Sequence, residues 1–332
     1  MSGVPGRAPT CRRYRSPRWC RYRRTASSGA VSLRPTLFIS ADLCGGVDDF
    51  GKGRVDMRGP AILARTMSVA TTRGGGKRAW QYHSRSDNHS KVACWTVLFD
   101  FLLECDIFRG HAERGLVGFG INHVMVGPIN KTLDLVVTRI SPGRATTRRQ
   151  RFADLVEHYG IVLDKTEREA LMSLPVLEGD IGREDVSEVV VALEAKACMT
   201  EHSKSLPRLH AEILATGYLA KRAQPRCITV SYSMVNAAKQ FITPSGVGKL
   251  NQHTQPEDAR KVVRMLGQAI PLARDTSSIG YDVIGVTVVD CRNDGSPVAL
   301  VGSDPAPDRH SHVNYDRMIV GLCSEYRARF GT

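Results

Sequence analysis

Apolar and polar positions change character near Trp80. Before it, residues 1–76 hold no sustained helical or alternating period and end in the breaker Gly74-Gly75-Gly76, so they read as tail and linker. After it, Val97, Leu98, Phe101, Leu102 and Cys105 recur at helical spacing, which predicts a helix capped at Ser90 and running to about Cys105. Strand-like runs follow at 116–126 and 132–139, broken by Ser141-Pro142-Gly143. A helical section is expected at 146–159 and 165–173, with Phe152, Leu155, Val156 and Tyr159 on one face. An acidic, glycine-containing loop (178–185) leads into an apolar strand at 188–196. Beyond it the pattern predicts a helix from Ser205 to about 216, a strand at 226–233 and a helix at 256–272. A hairpin-like pair at 281–290 and 297–302 and a closing helix near 313–329 complete the chain.

The strand at 188–196 carries the most chemistry. Val189-Val190-Val191-Ala192-Leu193 runs straight into Glu194-Ala195-Lys196. Strand alternation places Glu194 and Lys196 on one face, about 7 Å apart along the strand. Charges at the end of a buried strand are costly unless they meet a metal, a phosphate or each other. A second strand-like run, Leu133-Asp134-Leu135-Val136-Val137, embeds Asp134 in the same way.

An acid on one strand and Glu-x-Lys on its neighbour resembles the active site of the PD-(D/E)xK nucleases, the restriction-endonuclease-like superfamily. With the helical insertion at about 146–173 set aside, residues 85–235 read helix, strand, strand, strand, helix, strand. That is also the order of the superfamily's common core. The resemblance implies an α/β fold with a central mixed sheet flanked by helices (αβββαβ) in a single domain over 77–332. It further implies a Mg²⁺-dependent DNA endonuclease, with Mn²⁺ able to substitute. Asp134 and Glu194 would be the metal-binding carboxylates and the Ala195 backbone carbonyl a further ligand. Lys196 would position the attacking water or stabilise developing negative charge. Asp134 and Glu194 lie farther apart in sequence than is usual for the superfamily, so Asp180 and Asp185 stand as alternatives for the first acid. Glu104, near the end of the first helix, reads as a solvated residue. The rival from a different class is a non-catalytic nucleic-acid-binding protein that retains the fold.

Charge modifies this picture. The net charge is +13, but nine arginines and no acids lie in residues 1–35, leaving +4 for the rest of the 332-residue chain. The N-terminal segment cannot bury a core and is expected to be disordered, either as a phosphate-binding arm or as a dispensable tail. Candidate DNA contacts are Arg78, Arg85 and Lys91 in a basic–aromatic stretch, and Lys204 and Arg208, with His202, near the start of a helix. Trp80 and Tyr82 in that first stretch read equally as a strap over the core. Arg148, Arg149 and Arg151 form a second basic cluster. Cleavage of two antiparallel strands suits a homodimer.

Composition excludes other classes. No window reaches 18 apolar residues, so no membrane span is expected and a cytoplasmic location follows by default. Nine cysteines without a CxxC pair read as reduced thiols, with no zinc-ligand spacing. Gly118-Phe119-Gly120 and Gly246-Val247-Gly248-Lys249-Leu250 only partly match dinucleotide- and phosphate-loop motifs.

Overall fold

The computed structural model describes residues 57–73, 79–125, 130–140, 150–179, 186–244, 248–268 and 280–331. In chain order the elements begin with α1 (Gly59–Met67), β1 (Thr72–Arg73), β2 (Ala79–Trp80), α2 (Asn88–Glu104) and α3 (Asp106–Glu113). Next come β3 (Val117–Met125), β4 (Lys131–Ile140), β5 (Gln150–Arg151), α4 (Leu155–His158), α5 (Lys165–Ser173) and β6 (Glu178–Gly179). Then follow β7 (Val186–Cys198), α6 (His202–Ala223), β8 (Ile228–Asn236), the β9 (Gln240–Thr243) and β10 (Lys249–Gln252) hairpin and α7 (Glu257–Gln268). The described residues close with β11 (Val283–Asp290), β12 (Ala299–Leu300) and α8 (Tyr315–Phe330).

A mixed sheet of eight strands, in the order β12-β11-β8-β7-β4-β3-β6-β5, organises these elements. Strands β3, β4 and β7 form an antiparallel meander; β7, β8 and β11 are parallel. The parallel pairing of β7 with β8 requires a crossover, which α6 provides. Parallel strands are covered on both faces. Accordingly β8 is buried throughout, with helices α1, α2, α3 and α8 packed over one face of the sheet and α6 and α7 over the other. Alternation divides the side chains: Val230, Tyr232 and Met234 join the first layer, while Val235 joins the second. The mixed α/β class expected from sequence is therefore observed.

Four expectations need correction. Residues 57–73 fall inside the stretch read as tail and linker, yet α1 buries Ile62, Leu63, Ala64 and Met67 against α2 and belongs to the main core. The helix begins Gly59-Pro60, and proline in a first helical turn is favourable because its missing N–H would have no partner there. Residues 1–56 lie outside the described residues. Within the section read as helix from 146, Gln150–Arg151 form strand β5, which pairs with β6 at the sheet edge, and among the described residues only α4 and α5 are helical there. Arg148 and Arg149 lie outside the described residues. The helix after β7 starts at His202 rather than Ser205, behind Glu201 in a left-handed conformation, and Pro207 is accommodated within it. Finally, α2 starts at Asn88, and the Ser90 hydroxyl donates to the Asp87 carbonyl at 2.9 Å rather than acting as the N-cap.

Candidate active site

Strands β4 and β7 hold their antiparallel ladder up to the pair Leu135–Leu193. Past that rung Asp134 and Glu194 come next on the two strands, and the ladder gives way to a side-chain contact. Asp134 Oδ2 accepts a hydrogen bond from the Ala195 backbone N–H at 2.8 Å. In an extended strand the N–H and C=O of one residue point to the same side, so the Ala195 carbonyl also projects toward β4. The fork thus brings the Asp134 carboxylate and the Ala195 backbone together between neighbouring strands, with the Glu194 carboxylate beside them on the face that α6 covers. On β3, opposite this point, Asn122 takes a left-handed conformation, interrupting the regular pleat beside the fork.

Glu194 is buried at 3% exposure. Its Oε1 lies 2.6 Å from Lys196 Nζ and 3.1 Å from Lys131 Nζ. Its Oε2 is buried and has no hydrogen-bond partner. Lys196 Nζ also reaches Glu212 of α6 at 3.4 Å, and Glu212 in turn meets Arg208 at 3.4 Å. Lys196 therefore faces the α6 layer, and alternation places Glu194 beside it. In the parallel ladder Glu194 pairs with Ser231 and Lys196 with Ser233. Both serine hydroxyls are buried without partners, so three unsatisfied oxygens share this neighbourhood.

The electrostatics follow from burial and crowding. Burial, with the Glu194 charge added, pushes the Asp134 carboxyl up to about 6, against the Ala195 N–H and the two lysines, which favour ionisation. Burial alone would lower the Lys196 pKa, but Glu194, Glu212 and Asp134 more than offset it and raise it. Lys196 is thus held as a cation between carboxylates.

An all-oxygen donor set of Asp134, Glu194 Oε2 and the Ala195 carbonyl suits a hard divalent cation such as Mg²⁺. The buried, unsatisfied Glu194 Oε2 is the atom that such an ion would satisfy. By donor chemistry and by this orphaned oxygen, the residues fit the metal.

No protein-family model, curated protein or solved structure matches this chain. Its functional reading therefore stands on the site itself.

The structure brings together Asp134, Glu194, Ala195 and Lys196, as the sequence pattern expected. Sequence reasoning missed Lys131 and Glu212. Lys131 opens β4 only three residues before Asp134, and Glu212 lies on α6 one helical turn after Arg208, so spacing within each element carried the signal. The alternative acids Asp180 and Asp185 lie outside the described residues, as does Arg78. Glu104 is exposed at the end of α2, as expected.

The other proposed DNA contacts differ in setting. Arg85 is exposed. Lys91 is tied to Asp87 at 2.9 Å and lies over the Tyr159 ring at 5.7 Å. Lys204 and Arg208 are exposed on the first turns of α6, in ion pairs with Glu201 and Glu212. His202 is not a surface residue: it is buried, with Nε2 2.8 Å from the Asn236 carbonyl and its ring edge-on to His253. Trp80 and Tyr82 are buried, which makes their stretch a strap over the core. Among the described residues no helix is long and apolar enough to cross a membrane.

Proposed function

We propose that this protein is a metal-dependent DNA endonuclease with a restriction-endonuclease-like core, of restriction-like or mobile-element type and acting as a homodimer. The observation that carries this reading is the fork at Leu135–Leu193, where Asp134 and Glu194 converge with Lys196 beside them and Glu194 Oε2 is buried and unsatisfied. The element order supports it. A helix, three antiparallel strands, a crossover helix and a parallel strand (α2, β3, β4, β7, α6, β8) follow the αβββαβ order of the superfamily's core. Fold alone would not carry a function; the constellation of acids and lysine does.

Asp134, Glu194 and the Ala195 carbonyl would hold Mg²⁺, with Mn²⁺ as a substitute. When bound, the ion supplies an activated water and neutralises charge on the scissile phosphate. Lys196 donates hydrogen bonds where negative charge develops, or orients the attacking water. Glu212 acts as a positioning residue, drawing the Lys196 ammonium toward α6. Lys131 shares the Glu194 Oε1 charge. Lys204 and Arg208, at the exposed start of α6, and Arg85 would meet DNA phosphates.

A second reading has its own observation. Lys131, Lys196 and Glu212 already compensate Glu194 in a closed ion-pair chain, which also fits a non-catalytic nucleic-acid-binding protein. Binding and cleavage of double-stranded DNA, each measured with Mg²⁺ and with EDTA, separate the two. Cleavage only with Mg²⁺ supports the nuclease. Metal-independent binding with no cleavage of any DNA form supports the rival.

A further inference from the structure

A second cluster of ligating side chains lies away from the fork, where α2 ends and α3 begins. We propose that Cys105, Cys323 and Asp106 form a binding site for a thiophilic divalent cation of zinc type. One oxygen of Asp106 and the two sulfurs all lie within 4.8 Å of one another. Metal–ligand distances of about 2.3 Å for sulfur and about 2.0–2.2 Å for oxygen place the corners of a tetrahedral zinc site somewhat under 4 Å apart. Closing the cluster around an ion therefore requires only small side-chain movements.

Each ligand is held by structure already described. Cys105 is the N-cap of α3, in an extended conformation, and its thiol makes no capping hydrogen bond. It is fully buried, while Cys323 on α8 is half-buried and Asp106 exposed, so the site is built from the core outward with its open side to solvent. The helix N-terminus favours negative charge at Asp106 in the first turn of α3. Arg327 donates to Asp106 Oδ1 at 2.7 Å and can grip the carboxylate from behind while its other oxygen binds the ion.

Donor softness separates this site from the fork. Two thiolates and one carboxylate select zinc-like ions; two carboxylates and a carbonyl select magnesium-like ones. The proposal is independent of the nuclease reading. Its consequence is a metal staple joining the α2–α3 corner to α8, two parts of one helical layer that are distant in sequence.

The test is titration of the metal-free full-length chain with Co²⁺ under a thiol-preserving reductant, followed by Zn²⁺ displacement. One equivalent of Co²⁺ is expected to give tetrahedral visible bands and a sulfur-to-cobalt charge-transfer band, both removed by Zn²⁺. Cys323→Ser is expected to lose this spectrum, and Asp106→Asn to weaken Zn²⁺ binding on the order of 10–100-fold, with both variants keeping the wild-type circular dichroism. A triple variant replacing the N-terminal Cys11, Cys20 and Cys44 with Ser is expected to keep the spectrum. Absence of the bands in the wild type, their survival in Cys323→Ser, or their loss in the triple variant would overturn the proposal. Should Cys323→Ser fail to fold, unchanged Zn²⁺ affinity in Asp106→Asn would overturn it equally.

Discussion

Asp134 Oδ2 accepts the Ala195 N–H at 2.8 Å, so one side chain takes over a backbone hydrogen bond where strands β4 and β7 part. This contact fixes both acids of the fork relative to each other. Burial and the Glu194 charge oppose ionisation of Asp134, and the Ala195 N–H favours it.

Asp134 is expected to be a stability liability at neutral pH. Its folded pKa, about 6, lies above the unfolded value of about 4. A raised folded pKa contributes stability that is fully present below about pH 4 and lost as pH rises through 6. Asp134→Asn keeps an oxygen acceptor for Ala195 N–H and removes the charge. It should raise stability at pH 7.5 by about 1–2 kcal/mol and flatten the pH dependence between 4 and 7, as read by urea unfolding. Asp100, also raised to about 6, will leave a residual slope in the variant. A variant less stable than the wild type at pH 7.5 would contradict this.

Glu194 is the counter-charge for two lysines. Removing it in Glu194→Ala leaves Lys131 and Lys196 facing each other in a partly buried setting, with Asp134 and Glu212 as the remaining acids. The expected cost is about 2–3 kcal/mol, since breaking one side of a buried pair strands the other. Lys196→Met should cost less, because Lys131 still meets Glu194 Oε1. Equal losses in the two variants, measured by chemical denaturation, would show that the network is not centred on Glu194.

The N-terminal end of helix α1 is tied down by one buried carboxylate. Asp100 accepts from Gly59 N at 2.7 Å, Arg58 N at 3.1 Å and the Tyr315 hydroxyl at 2.9 Å. Asp100→Ala leaves three donors unsatisfied and should cost about 2–4 kcal/mol. Limited proteolysis should then cut first around α1, while Tyr315→Phe leaves that segment protected. Unchanged proteolysis in Asp100→Ala would mean that the apolar face of α1 and the Arg65–Glu167 pair hold it without Asp100.

The sequence pattern was most informative where burial and charge conflict. A wholly apolar strand ending in Glu194-Ala195-Lys196 pointed to the candidate site, and the embedded Asp134 pointed to the neighbouring strand. Partners that come from other elements were less visible. Glu212 looks like any exposed helical acid until the crossover α6 lays it over Lys196. Lys131 is an ordinary strand-end lysine until the strands part beside Glu194. Helix α1 was hidden because a nine-residue segment with one short apolar face gives little periodicity, and because arginine-rich surroundings dominate the composition there. Cys105 sits at the α2–α3 junction and Cys323 on α8, so no spacing rule could join them.

Exposed cations on α6 make a separable prediction about binding. Lys204→Ala with Arg208→Ala should weaken DNA affinity without regard to sequence and reduce the steepness of its salt dependence by up to about two phosphate contacts. Retention of the full salt slope would move the phosphate-binding surface away from α6.

The central claim is tested most directly by incubating unmodified double-stranded DNA with Mg²⁺ and the wild type, Asp134→Asn or Lys196→Ala, each first shown to be folded. The account predicts cleavage by the wild type, its loss with EDTA, and a fall of at least about 100-fold in either variant with DNA binding retained. Cleavage undiminished in Lys196→Ala and Asp134→Asn, or a wild type that binds DNA but never cuts it, would contradict it.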